Sequence, residues 1–434
     1  MRKITLNILK YILVFVLAVT IGFGLLVLTA KIPKKAIQNN MKESVQFYKD
    51  NVGIDRKYGG QETYLHYYAD SILLNIIYNI NSEKPVQSVL WSNYYETFKM
   101  DINRDFILTV EQEKKANTQY LRYWHGSMVI LRPLFVIFNV NQIYALNAVL
   151  LWGLAIALFV LLFIRHKKLA FVYLLALIMA TFYIVPKCFE YTWMFYIMFI
   201  VSIISILNEK KKKNSWFYML FFITGIITCY LDFLTTEIIT LFVPMLLVLG
   251  IRKKENRIKS FKDVAFFVVI SSILWLIGYA GMWLAKWGLA GVILNINPIE
   301  YVKENMMHRI YGYFGIMKVG GFDFSAIKRN FWTLYPLVNV ENDIAKIWIG
   351  ASFVLIPTLT IDWNNLKNKW IAIVYLLIAL APYARYYVLT AHSQSHFFFT
   401  YRSQIITIIA VGLIFIECFN YKIIDAVKRR ISKK

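Results

Sequence analysis

The stretch YILVFVLAVTIGFGLLVLTA, Tyr11 to Ala30, decides how the chain is read, because its 20 residues carry no charge. About 20 helical residues, each rising 1.5 Å, cross the ~30 Å hydrocarbon core of a bilayer. Arg2, Lys3 and Lys10 precede the run, which places its start on the cytoplasmic side. The apolar core is too long for a secretory signal and no small-x-small cleavage site follows, so residues 1–30 read as a retained signal-anchor helix. The composition agrees. The chain has 434 residues, 59% hydrophobic, and a mean hydropathy of +0.52, which describes an integral membrane protein rather than two or three soluble domains. Its formal charge of +23 sits largely in short loops between apolar runs, where membrane orientation accounts for it and nucleic acid is not needed.

Outward from that helix, residues 31–126 form a long polar segment holding 11 of the 25 Asp and Glu residues. It is expected to be a large first outer loop. Ser127 to Val140 follows, interrupted by Arg132-Pro133. This piece is expected to be re-entrant or interfacial, because an arginine at mid-bilayer costs about 2.5–3.5 kcal/mol on insertion scales. Further crossings are predicted at Ala145–Ile164, Leu169–Pro186, Tyr191–Leu207, Trp216–Tyr230, Glu237–Gly250 and Val264–Leu289. A second outer segment near 295–345 precedes the last three, Lys346–Ile361, Trp370–Val388 and Ile405–Phe419. The expected fold is therefore all-α and polytopic, with about ten transmembrane helices, a multi-span domain over 127–434 and both termini cytoplasmic. Each predicted inner loop has more Lys and Arg than Asp and Glu, whereas Lys31 to His125 holds 13 basic and 11 acidic residues. Cys188 and Cys229 both fall near the outer face, where either a disulfide or plain packing would suit them.

This topology gathers titratable groups on one side. His66, His125, His308, His392 and His396 fall there, with Asp70, Glu190, Asp232, Glu237, Arg309 and Arg402. Such a gathering points to a polar-substrate site, although outer loops are polar in any case. Asp70 heads the segment ADSILLNIIY, Ala69 to Tyr78, which suits a helix against the membrane surface. As the first polar residue of that helix it reads either as an N-cap or as a functional carboxylate. The cluster RYWHG, Arg122 to Gly126, stands where the chain re-enters the membrane. Its Tyr123 and Trp124 suit an interface, while Arg122, His125 and Arg132 offer phosphate-binding donors. His392 and His396 stand four apart, on one face if helical, and suit either a metal or hydrogen bonds to a polar substrate. With no HExxH and no DxD in the chain, no metal and no cofactor are expected.

On the segments around Tyr68–Ser71, Arg122–Gly126 with Arg132-Pro133, and His392–Arg402, the chain resembles GT-C-type integral membrane glycosyltransferases, and within them multi-pass proteins of Gram-positive bacteria. The resemblance spans the whole architecture: first helix, large first outer loop, later outer loops. It implies a polyprenyl-phosphate-linked sugar donor, a cell-envelope glycan acceptor, and a plasma-membrane enzyme with its site on the extracytoplasmic face. The family's catalytic carboxylate falls on Asp70 as general base of an inverting transfer. Arg122, Trp124, His125, Arg132, His308, Arg309, His392, His396 and Arg402 become substrate and phosphate ligands, and Asp232 and Glu237 further candidates. A polysaccharide polymerase or ligase of the O-antigen type, a transporter or flippase, and a non-catalytic envelope protein are the alternatives.

Overall fold

The computed structural model describes residues 2–50, 56–57, 64–65, 67–97, 101–258, 260–314, 317–318, 320–334, 359–362 and 370–420. Among these the regular structure is helical, apart from two hairpins of two-residue strands, Arg56–Lys57 with Tyr64–Leu65 and Tyr313–Phe314 with Met317–Lys318, and two isolated bridges, Tyr94 with Thr118 and Ile361 with Phe419. Seven helical stretches are long and apolar enough to cross a membrane. They are Ile8–Ala30 within α1 (Arg2–Ala30), α7 (Val140–Arg165), α9 (Phe189–Asn208), α10 (Asn214–Leu231), α12 (Phe261–Leu294), Ile371–Val388 and Phe397–Cys418. Two further expected crossings are helical but short: α8 (Lys167–Met179), of 13 residues, and α11 (Ile239–Lys254), of 16. The first is prolonged by a 3-10 helix, Phe182–Lys187. The second is buried along most of its length, as befits a helix apolar on every side. The expected crossing Lys346–Ile361 lies almost wholly outside the described residues, as does His66.

The helix directions alternate as the apolar runs demand. Three turns, after α7, α9 and α11, meet at one end of the bundle in an ion-pair network. Arg165 and Arg257 both bind Glu209, Arg165 reaches Glu255 at 2.9 Å, and Lys210 reaches it at 3.1 Å. α1 runs parallel to α10: Tyr11 packs on Phe222 with ring centroids 5.1 Å apart, and Tyr230 Oη donates to the Gly22 carbonyl at 2.7 Å. α12 also runs parallel to α10, and the two backbones touch through glycines. A Cβ on Gly225 would overlap the Trp275 carbonyl, and one on Gly278 the Phe222 carbonyl, the small-residue contact that lets membrane helices approach closely. Exposed apolar side chains such as Leu13, Val16, Leu17 and Ile21 on α1 form the outer surface of the bundle.

The polar segment 31–126 is not a separate body. It carries α2 (Lys34–Asp50), α3 (Tyr68–Asn79), α4 (Pro85–Trp91) and α5 (Ile102–Glu111), which share one hydrophobic core with the bundle. α2 is amphipathic and buries Ile37, Met41, Ser44, Val45 and Tyr48, positions on one helical face. α3 differs from the expected surface helix: Asp70 to Tyr78 are all buried, so its polar residues need internal partners. Ser71 Oγ donates to Asn103 Oδ1 at 2.6 Å, and Asn75 Nδ2 to the Tyr95 carbonyl at 2.9 Å. α4 is held by Lys286 of α12, whose Nζ donates to the Val89 and Leu90 carbonyls at 2.8 and 3.0 Å. These are last-turn carbonyls with no helical partner.

The piece interrupted by Arg132-Pro133 is α6 (Met128–Ile137), ten residues long and too short to span. The buried Arg132 donates to the Ile77 carbonyl, and to the Ile32 carbonyl at 2.6 Å. It ties the ends of α1 and α3 together instead of facing a phosphate. Cys188, Cys229 and Cys418 are all buried and none forms a disulfide, so Cys188 and Cys229 are placed by their contacts inside the fold.

Candidate functional site

At the end of the bundle away from the ion-pair network, a cavity of about 420 Å³ opens between the polar segment, α13 (Pro298–Tyr311) and α17 (Thr390–Ser395, after α14 Ser325–Thr333, α15 Ile371–Ala379 and α16 Ala381–Val388). Its walls include Tyr68, Tyr120, Arg122, His308, Arg309 and His396. It adjoins a chamber of about 40 Å³ that shares several of these residues and ends on Tyr123, Phe233 and Glu190.

The cations are held in place by their neighbours. Arg122 lies over the Tyr120 ring at 4.1 Å and donates to Asn305 Oδ1 at 2.6 Å. Arg309 Nη1 donates to His392 Nδ1 at 2.6 Å, and its Nη2 to Tyr123 Oη at 3.1 Å. His392 Nε2 lies 2.7 Å from the Leu234 carbonyl, which only accepts, so that nitrogen carries the hydrogen and Nδ1 is left as an acceptor. Burial and the adjacent Arg309 push His392 well below the usual histidine range, so it stays neutral. His396 stands edge-on to His392, with centroids 4.6 Å apart. Among the described residues no group of three or more His, Cys, Asp or Glu is placed to hold a metal ion.

The loop between α10 and α11 supports His392 from behind. Leu234 adopts φ 64°, uncommon for a branched side chain and a local strain. Two carboxylates over-determine the loop. Asp232 accepts from Thr235 N at 3.0 Å and from Tyr279 Oη at 2.8 Å, while Glu237 receives Arg385 at 2.5 and 3.0 Å. Asp232 and Glu237 are therefore positioning residues for the cavity wall and do not line it.

Asp70 does not cap its own helix, where Tyr67 takes the N-cap position without a side-chain bond. It caps α9 instead. Oδ2 accepts from Phe189 N at 2.7 Å and Tyr144 Oη at 2.6 Å, and Oδ1 from Glu190 N at 2.9 Å and Cys188 Sγ at 3.3 Å. A carboxylate offers about four lone-pair positions, and four donors fill them. Burial raises the Asp70 pKa against the pull of these donors. Its neighbour across the cap is Glu190. The Glu190 backbone is held by Asp70, but its carboxylate has no hydrogen-bond or ion-pair partner among the described residues and lines the inner chamber, with Arg309 and Arg402 in electrostatic reach.

The remaining expected ligands are structural. Trp124 Nε1 donates to the Met282 carbonyl at 2.7 Å. His125, at φ 54°, packs its ring on Tyr120, Tyr123 and Phe233, with Nε2 3.1 Å from the Tyr120 carbonyl. Burial pushes it down to about 3, so it is a neutral spacer under the cavity floor. Gly126 completes that turn by donating N–H to the Tyr230 carbonyl at 3.0 Å, too close to the Tyr230 ring for a side chain. Arg402 is buried against Tyr191 and Tyr401, 4.5 and 4.9 Å from the ring centroids, and donates to the Phe398 carbonyl at 3.0 Å.

Of the residues expected from the sequence, Arg122, His308, Arg309, His392 and His396 come together on the cavity, and Asp70, Trp124, His125, Arg132 and Arg402 do not line it. Tyr68, Tyr120, Tyr301 and Asn305 also line the cavity and Glu190 the chamber, none of them expected as a ligand. Only Glu190 had a signal, as an acid at the predicted outer end of a span. Compared with family models, curated proteins and solved structures, the chain finds no match in any of the three.

Proposed function

We propose that the protein is a membrane glycosyltransferase that moves a sugar from a polyprenyl-phosphate donor to a cell-envelope glycan on the outer face of the plasma membrane. The observation that carries this reading is the Glu190 carboxylate, without a hydrogen-bond or ion-pair partner among the described residues, in a chamber adjoining a cavity walled by Arg122, Arg309, His308 and tyrosine rings. Aromatic faces suit a sugar, paired guanidinium donors suit a phosphate, and a carboxylate with open lone pairs suits an attacking hydroxyl. In the proposed step the acceptor oxygen attacks the anomeric carbon, its proton passes to Glu190, and the bond from that carbon to the phosphate oxygen breaks. Arg122 and Arg309 stabilise the departing charge. Glu190 takes the role that the resemblance assigns to Asp70, because the Asp70 lone pairs are already filled. Orientation rests on loop charge: ten crossings with cytoplasmic termini put the basic turns inside and the cavity outside. The donor tail would enter beside α13, which buries no residue and exposes Ile299, Met306 and Met307.

The test is transfer of labelled sugar from polyprenyl-phosphate donors by the full chain in proteoliposomes. Glu190→Gln is expected to lower turnover at least ~100-fold, the scale of a lost general base, with melting unchanged. Wild-type turnover in that variant would overturn the assignment. The fixed Arg309–His392 pair also favours a second reading, an O-antigen-type polymerase or ligase. That enzyme would tolerate Glu190→Gln, fail on Arg309→Gln, and use acceptors longer than one sugar.

A further inference from the structure

We propose that the opposite end of the bundle binds a phosphate group, supplied by the headgroup of an anionic phospholipid. A second cavity of about 360 Å³ lies there, bounded by the first residues of α10 and α12 and the last turns of α11. α10 is 18 residues long, so at 1.5 Å per residue this cavity stands about 27 Å from the first.

Its charge is unbalanced. Five cations line it, Lys210, Lys212, Lys213, Arg252 and Arg257, against two carboxylates, Glu209 and Asp263. Glu209 is held by Arg165 and Arg257, one Asp263 oxygen by Ser260 Oγ at 2.7 Å, and Lys210 and Arg257 by Glu255, so Lys212 and Lys213 are the lining cations without an ion pair among the described residues. Arg252 is preorganised. Its guanidinium lies over Phe217 and Phe267, 4.9 and 5.1 Å from the ring centroids, and Nη1 donates to Asn214 Oδ1 at 3.1 Å. Its Nε keeps a long ion pair of 3.9 Å with Glu209, which leaves Nη2 of this cavity-lining residue to donate to a phosphate oxygen. α10 begins here with no side chain capping its N-terminal amides, which adds a partial positive charge.

The membrane is the source of choice because the cavity pairs its cations with apolar walls at the ends of membrane-crossing helices. Leu249, Ile258, Val264 and Phe267 line it beside the cations, and it stands at the ends of α10 and α12, two helices long and apolar enough to cross a membrane. A headgroup seated among the cations would leave its acyl chains to run along these helices. Basic pockets between membrane helices recognise anionic headgroups in this way.

The experiment uses the full chain, delipidated in detergent, with melting followed on adding phosphatidylglycerol, phosphatidylcholine or inorganic phosphate. Phosphatidylglycerol is expected to raise the melting temperature at concentrations where phosphatidylcholine does not. In Lys212→Gln/Lys213→Gln its apparent affinity should fall about 30-fold, taking ~1 kcal/mol for each basic residue near an anionic lipid. Arg309→Gln, in the other cavity, should leave the shift intact. Equal shifts with both lipids, or an undiminished shift in the double variant, would overturn the site. Loss of the shift in Arg309→Gln would do the same, and protection by inorganic phosphate alone would overturn the lipid assignment.

Discussion

Asp70→Asn separates a structural clamp from a catalytic base. Four donors converge on the Asp70 carboxylate: Tyr144 Oη at 2.6 Å, Phe189 N at 2.7 Å, Glu190 N at 2.9 Å and Cys188 Sγ at 3.3 Å. Asparagine keeps one oxygen and turns an NH2 toward two of them. The least costly orientation keeps Tyr144 and Phe189 satisfied and loses Glu190 N–H, a bond to a charged acceptor worth about 1.5–3 kcal/mol. The lost negative charge at the N-terminus of α9 adds roughly 0.3–2 kcal/mol, toward the upper end because the site is buried. Asp70→Asn is therefore expected to destabilise by ~3 kcal/mol, and Tyr144→Phe, which removes one donor, by about half as much. Thermal melting of the purified chain measures both, with Glu190→Gln as the control expected to melt with wild type. An Asp70→Asn variant that melts with wild type yet has lost transfer would refute this reasoning and return Asp70 to the chemistry.

Arg385→Met strands the buried Glu237 and should cost about 3–5 kcal/mol, whereas the double variant with Glu237→Met should cost clearly less, since no buried charge is left unpaired. Melting of the two variants checks it, and equal losses would show that the pair does not act as a unit. Gly225→Val sets a branched side chain against the Trp275 carbonyl, so monodisperse yield and melting temperature should both fall, by about 1–3 kcal/mol or more because backbone must move. His125 is held at about 3 by burial; as a base with a depressed folded pKa, it contributes stability that is intact above its unfolded value near 6.5 and lost as pH falls toward 3. Between pH 6.5 and 5 that loss is about 2 kcal/mol at 1.36 kcal/mol per unit. His125→Asn, which tolerates the positive φ, should flatten the acid side of the melting-versus-pH curve, and an unchanged slope would exclude His125 as its origin.

Much of the architecture was legible in the chain, because a bilayer imposes a local rule. A helix that must satisfy its backbone within hydrocarbon needs a long apolar run, and such runs can be found one by one. Tyr11–Ala30 alone sufficed to set the class, and the loop charges sorted the later helices into the alternation that the Arg165, Glu209 and Glu255 network displays. The rule weakens where a helix is short and sheltered by neighbours, as with α8 and α11, or where a polar group finds partners inside the fold. Arg132 and the polar residues of α3 looked like surface or substrate groups for that reason, and both are internal.

The site was legible only as a list of residue types. Sequence by itself grouped His125, His308, His392 and His396 with Asp70, Arg309 and Arg402 at one end of the helices, since that follows from counting crossings. Which of them face a cavity depends on contacts between residues more than 80 positions apart: Arg309 on His392, Asp70 on the start of α9, and Arg122 on Asn305. Asp70 and Glu190 are alike as carboxylates. Only the tertiary structure tells their surroundings apart, because four donors fill the lone pairs of Asp70 and none among the described residues reaches the carboxylate of Glu190.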